Sequence, residues 1–175
     1  KLSQHMTLFD NIPSIEAASK LHSIVPAEWK LGKTYFCPVG GEAVEAALRL
    51  IMKQTHKSEV VSLHLSYHGL SLGTMSLGGM PWLRSFVAGG IRWPGFHQIP
   101  NAYCYRCPYG QEYPGCGLQC ATELENAIKY GSSGSVAAFI MEPVPGPGGH
   151  IEFSDEYYLE VRRICDENGV LLIAD

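Results

Sequence analysis

Thr34-Tyr-Phe-Cys-Pro-Val-Gly-Gly-Glu-Ala-Val-Glu-Ala-Ala-Leu-Arg-Leu50 is the stretch on which the reading of this chain turns. Its first residues read as a short apolar strand over Lys33–Phe36. Gly40-Gly41 make a sharp turn, and a helix follows from Gly41 to about Thr55. Glu42 and Glu45 fall in the first turn, where carboxylates suit the positive end of the helix dipole. Ala43, Ala46, Ala47 and Leu50 leave a small apolar face for close packing on a sheet. A strand, a glycine turn and a helix N-terminus together form a recipe for holding an anion, because unpaired backbone N–H groups point out of the turn. Neither nucleotide fingerprint, GxGxxG or GxxxxGK[ST], is present, and a tight turn with no ligand has the same local pattern.

Outward from that stretch, strands and helices alternate. Pro13 opens a helix carried by Ile15, Ala18, Leu21, His22 and Val25, and Pro26 ends it. Glu59–Leu65 is rich in β-branched and aliphatic residues and runs into Ser66-Tyr-His-Gly69. Leu70–Gly79 reads as a short helix and loop. Residues 80–117, dense in Pro, Gly and aromatics, read as a long irregular crossing of the kind that is usually functional or an interface. A helix is expected over Leu118–Tyr130, a turn at Gly131–Gly134 and a buried strand over Val136–Met141. Glu142-Pro-Val-Pro-Gly-Pro-Gly-Gly149 follows. Ser154 caps a helix running to Asn168, stopped by Gly169, and Val170–Ala174 is an apolar strand ending on Asp175. The pattern is that of an α/β fold with a mainly parallel sheet covered on both faces. In such sheets ligands gather beyond the carboxyl ends of the strands. Gly40-Gly41, Tyr67-His68, Glu142 and Asp175 stand at those ends. Singly each has an ordinary explanation as a packed aromatic, a hydrogen-bonded loop residue or a cap; together they point to one shared site.

Composition excludes several classes. With 175 residues, 46% of them hydrophobic, the chain can bury a core and its length suggests about one domain. A net charge of −4 without a basic cluster argues against nucleic acid as a partner. No apolar run is long enough to cross a membrane, and Lys1–Met6 lacks the apolar core of a signal peptide. Both ends read as cut from a longer protein.

The order Gly-Gly-Glu-Ala-Val-Glu-Ala-Ala, Tyr-His-Gly, Glu-Pro-Val-x-Gly-x-Gly-Gly and Leu-Leu-Ile-Ala-Asp resembles the class III aminotransferases, the 4-aminobutyrate and ornithine type. The resemblance runs from about Pro13 to Asp175. It implies a three-layer α/β/α, fold type I large domain, cut short, with pyridoxal 5′-phosphate as cofactor. It also implies an amino donor and a 2-oxo acid as substrates, a homodimer and a cytoplasmic setting. Gly40 and Gly41 match the family's phosphate cup, although Val39-Gly40-Gly41 lacks the hydroxyls usual there. Tyr67 matches the aromatic that stacks on the pyridine ring, with His68 near it; Glu142 matches an acid beside cofactor and substrate; Asp175 matches the carboxylate that pairs with the ring nitrogen. The lysine that carries the cofactor covalently has no counterpart among Lys1, Lys20, Lys30, Lys33, Lys53, Lys57 and Lys129, and is expected downstream together with a small C-terminal domain. A decarboxylase, racemase or aminomutase of the same fold would share this half.

Two readings of another class stand beside this one. Cys104-Tyr-Arg-Cys107 and Cys116-Gly-Leu-Gln-Cys120 place four thiols at ligand-like spacing, compatible with a structural zinc or with reduced cysteines in a loop of an intracellular protein. Cys37 and Cys165 read as packed thiols. A nucleotide-binding α/β domain without pyridoxal phosphate is the other, and the absent glycine fingerprints count against it.

Overall fold

A computed structural model describes residues 11–86, 90 and 92–175. The leader reading at Lys1–Met6 lies outside the described residues. By its internal contacts the chain divides after Pro38. The first unit carries helix α1, Ile12–Ile24, and a 3₁₀ turn at Ala27–Trp29. Asn11 caps α1 by accepting from the Ser14 amide at 2.9 Å, and a proline follows in the first turn, where its missing N–H costs nothing. The expected strand at Lys33–Phe36 does not form. β-prone side chains make a strand only where a neighbouring strand completes the ladder, and among the described residues this stretch is no part of the sheet.

The second unit runs from Val39 to Asp175 and holds a four-stranded, all-parallel sheet. Its elements in order are α2 (Gly40–Thr55), β1 (Glu59–Leu63), α3 (Leu72–Leu77), α4 (Pro81–Arg84) and β2 (Phe96–Ile99). They continue with α5 (Gln119–Lys129), β3 (Val136–Met141), α6 (Asp155–Asn168) and β4 (Leu171–Ala174). Residues 80–117 are therefore not one irregular crossing. They contain α4, a 3₁₀ turn at Cys104–Arg106 and the edge strand β2, which pairs with β1 from Val60↔Phe96 to Leu63↔Ile99. Met80, Leu83, Ile99 and Ala102 from this stretch are buried, so part of it is core.

Alternation along the strands makes three layers. Val61, Leu63, Phe139 and Met141 face one side, where Ala121 and Leu124 of α5 and Tyr157, Val161 and Ile164 of α6 cover them. Val60, Ala138 and Ile140 face the other, under Val44, Leu48 and Ile51 of α2 and Leu77 of α3. The fold is α/β/α, as the uninterrupted apolar run of β3, buried at all six positions, requires of a strand covered on both faces.

Strand order is β2-β1-β3-β4. After β1 the chain crosses to one side to build β2, then returns to build β3 on the other side of β1. This reversal puts a topological switch point at the carboxyl ends of β1 and β3, where doubly wound sheets open a crevice.

Candidate active site

α2 begins abruptly. Its N-cap, Val39, is extended (φ −145°, ψ 155°) and offers no side-chain cap, unlike Asn11, Ser71 and Ser154 at α1, α3 and α6. The Glu42 and Ala43 amides donate back to Val39 O at 3.1 and 3.2 Å, which leaves the Gly40 and Gly41 amides at the helix end without an intrahelical acceptor, so this end keeps its partial positive charge. Gly40 opens onto free space, with nothing within 4 Å of where a Cβ would stand. Gly69 is held much more tightly. Its φ of +121° is a glycine conformation, and a Cβ there would lie 2.7 Å from Gly41 Cα and 2.9 Å from Thr74 Oγ1. The loop after β1 thus packs glycine against glycine onto the start of α2.

Beyond the ends of β1, β3 and β4 the other candidates meet. His68 Nδ1 lies 2.7 Å from Asp175 Oδ2; the imidazole is fully buried, whereas 29% of the aspartate side chain is exposed. The backbone amide of Asp175 donates to Met141 O at 3.0 Å, which fixes it beside the end of β3. Glu142, nearly buried, accepts a 3.0 Å bond at Oε2 from the Tyr67 amide. His68 Nε2 is buried without a partner. Gly40, Gly41, Tyr67, His68, Glu142 and Asp175 all line one cleft of about 940 Å³. Four motifs spread over 136 residues of sequence, 40 to 175, arrive at one place because all strands of a parallel sheet end at the same edge.

Four further polar or charged wall residues were not among the expected site residues: Glu42, Glu45, Arg49 and Ser71. Glu45 and Arg49 stand four apart on α2, the spacing of an ordinary solvated face. Ser71 caps α3 and donates its hydroxyl to Glu45 Oε1 at 2.5 Å. Its hydroxyl and that of Thr74, 2.8 Å away, stand near the glycine turn whose own sequence lacks hydroxyls. Among the described residues no lysine lines the cleft.

The four loop cysteines lie apart from this cleft. Among the described residues no three His, Cys, Asp or Glu side chains converge as ready metal ligands. Burial pushes the Cys120 thiol up to about 11, and burial, helped by Glu123 and the neighbouring thiols, pushes the Tyr109 phenol up to about 12. Cys165 is buried as expected, and Cys37 is half-buried.

Comparison with known proteins follows the same lines. The family described as Aminotransferase class-III matches residues 1–175. The chain is 34% identical over 182 aligned residues to an adenosylmethionine-8-amino-7-oxononanoate aminotransferase of Geobacter sulfurreducens, covering 98% of the chain and 39% of that protein. It is 38% identical to a diaminobutyrate–2-oxoglutarate aminotransferase of Rhizobium meliloti, covering 82% and 31%. A leucine/methionine racemase of Thermococcus litoralis is 31% identical, with 90% and 35% covered. Among solved structures, an amine transaminase from an uncultivated Pseudomonas species in its PLP-bound form superposes with a TM-score of 0.88 at 28% identity, over 98% of the chain and 40% of its own length. The chain thus spans about a third to two fifths of the length of these proteins.

Proposed function

The chain belongs to the class-III aminotransferases, and from that premise we propose that the whole protein is a pyridoxal-phosphate-dependent aminotransferase, moving an amino group from an amino acid or amine to a 2-oxo acid. The observation that carries this is the convergence of the His68–Asp175 pair, Tyr67, Glu142 and the start of α2 on one cleft at the switch point. The described residues form a partial cofactor-binding large domain in this reading.

The cleft fits the cofactor in three respects. The uncapped α2 terminus offers backbone N–H groups for a phosphate, and the space beside Gly40 lets it approach. The exposed part of Asp175 offers a carboxylate to a cationic ring nitrogen, while its Oδ2 is held by His68. Tyr67 presents an aromatic side chain at the same cleft. When bound, pyridoxal phosphate supplies an electron sink for the bond broken at the substrate carbon. Asp175 would favour the protonated form of the ring nitrogen and so deepen that sink. His68 is a positioning residue: buried and hydrogen-bonded, it prevents the aspartate from turning away. Glu142, anchored by the Tyr67 amide, would stand in the cleft wall as an acid beside cofactor and substrate. The lysine, and part of the selection of donor and acceptor, are proposed to come from sequence outside this chain.

The whole protein is proposed to act as a homodimer in the cytoplasm. The exposed apolar residues Leu70, Leu72, Trp82, Phe86 and Trp93 support an interface near the cleft, and six free cysteines support a reducing compartment. Racemisation is the second reading, favoured by the Thermococcus litoralis relative. The test is full-length protein purified and titrated with pyridoxal phosphate. A visible absorbance that changes with an amine, with transfer of the amino group to a 2-oxo acid, supports the first reading. Inversion of one amino acid without a 2-oxo acid supports the second. Absence of cofactor by both absorbance and mass spectrometry sinks both. Sedimentation of an active monomer would overturn the dimer.

A further inference from the structure

One cysteine-rich loop stands outside the cleft and has no part in the proposed reaction. β2 ends at Ile99; the chain then turns at Cys104–Arg106 and reaches α5 at Gln119. Within this loop is a cavity of about 20 Å³, lined by Asn101, Cys104, Cys107, Tyr109, Cys116 and Cys120 among others. That volume suits one body the size of a water or an ion.

Two groups at its wall are unaccounted for. Asn101 is 4% exposed, and neither its Oδ1 nor its Nδ2 has a hydrogen-bond partner. The Tyr109 hydroxyl is likewise buried and unpaired. Buried polar atoms are paired almost without exception, so two orphans on one small cavity indicate a missing occupant. Four sulfur atoms around the same cavity narrow its chemistry. Cys-x2-Cys and Cys-x3-Cys are both spacings of structural zinc sites, and an all-sulfur set selects soft, tetrahedral ions.

We propose that Cys104, Cys107, Cys116 and Cys120 bind one soft divalent cation, zinc by preference, which fastens the β2–α5 loop to the start of α5. The thiols surround the cavity without yet converging on one point. Binding turns them inward about their Cα–Cβ bonds. Cys104 is exposed and the other three are half-buried, so no core side chain has to move. Each ligating thiol loses its proton to solvent as a metal–sulfur bond forms, and no electron is transferred. The Asn101 amide and the Tyr109 hydroxyl then donate to the thiolate sulfurs, the outer-shell support such sites use. The site is a structural staple and is independent of the amino-transfer reading.

The test uses full-length protein purified with reductant and without chelator, its metal content measured by mass spectrometry and its thiols counted after denaturation. About one zinc per chain is expected, with all thiols titratable once the metal is stripped. Stripped protein reloaded with cobalt should show the intense red-region bands of tetrahedral thiolate coordination, clear of the cofactor's absorbance. Cys107→Ser with Cys120→Ser should lower zinc content by at least about tenfold and leave cofactor absorbance in place. Should that variant fail to fold, stripping the wild-type protein should speed amide exchange across residues 101–118 and reloading should reverse it. Three results would overturn the proposal: substoichiometric zinc after loading, an oxygen-type octahedral cobalt spectrum, or thiols missing in pairs because they form disulfides.

Discussion

Replacing Gly69 by alanine should damage the site from outside it. The backbone there sits at φ +121°, a conformation that costs a residue with a Cβ about 1–3 kcal/mol. The new methyl would stand 2.7 Å from Gly41 Cα and 2.9 Å from Thr74 Oγ1, and the first of these is backbone that cannot rotate away. Overpacking of this kind costs roughly another 1–3 kcal/mol. Relief comes by pushing Gly41, and with it the first turn of α2, so part of the cost appears as lost phosphate binding. Gly40→Ala is the control. Nothing lies within 4 Å of its Cβ and its φ is not positive, so folding should change by less than about 1 kcal/mol. The methyl would nevertheless occupy the space a phosphate uses, and cofactor affinity should fall about tenfold, or about 1.4 kcal/mol. Guanidinium unfolding of the cofactor-free full-length protein reads the first effect, and a pyridoxal phosphate titration reads the second. Gly69→Ala with wild-type stability and affinity would show that the Gly41–Gly69 contact does not set the turn. Gly40→Ala with unchanged affinity would remove the phosphate from α2.

Asp175→Asn keeps an acceptor for His68 and removes the charge; single-turnover transfer from an amino donor should slow at least about tenfold while the cofactor stays bound. A near wild-type rate would make Asp175 a strand-end cap only. Tyr67→Ala should weaken cofactor retention in dialysis more than it slows the step in cofactor-saturated protein, and the opposite order would contradict a stacking role. Burial pushes the Cys165 thiol from 9.0 to about 11 and raises the Tyr157 phenol as well. The folded chain then holds protons the unfolded chain has released, so this contribution is complete below the ordinary thiol value and falls as pH rises through that window. Circular dichroism against pH should show stability declining there, with a flatter slope in Cys165→Ala; an unchanged slope would refute the assignment to Cys165.

The longer helices and the buried strands are readable in the sequence because their signals are local, whereas the four-residue α4 is not. Pro13, Ser154 and Gly169 mark ends, and β3 is apolar at every position. β2 was not readable. Phe96-His-Gln-Ile99 has two polar residues in the middle, is only four residues long and is half-buried at three of them, as an edge strand permits. Lys33–Phe36 failed in the opposite way, having strand composition without a partner. In the cleft, the motif residues announced themselves by their rarity at strand ends. Glu45 and Arg49 did not, because on α2 they have the spacing of any exposed helical face. The His68–Asp175 contact spans 107 residues and depends on β3 and β4 being neighbours, which no local pattern states.

The charge on the cleft wall carries the argument one step further. Glu42, Glu45, Glu142 and Asp175 face it, against a single guanidinium from Arg49 among the described residues. A phosphate at Gly40-Gly41 would have the helix terminus in its favour, worth typically 0.3–1 kcal/mol when exposed and up to about 2 when partly buried. It would have two carboxylates in the first turns of the same helix against it. Asp175, by contrast, needs only a cationic ring nitrogen to gain, and His68 already holds it in place. The residues described here are thus better matched to the ring than to the phosphate. A phosphate there would gain from anion contacts that the described lining residues do not supply. That division accounts for a cleft which is acidic and aromatic on one side, with Arg49, two turns into α2, as its one guanidinium among the described residues.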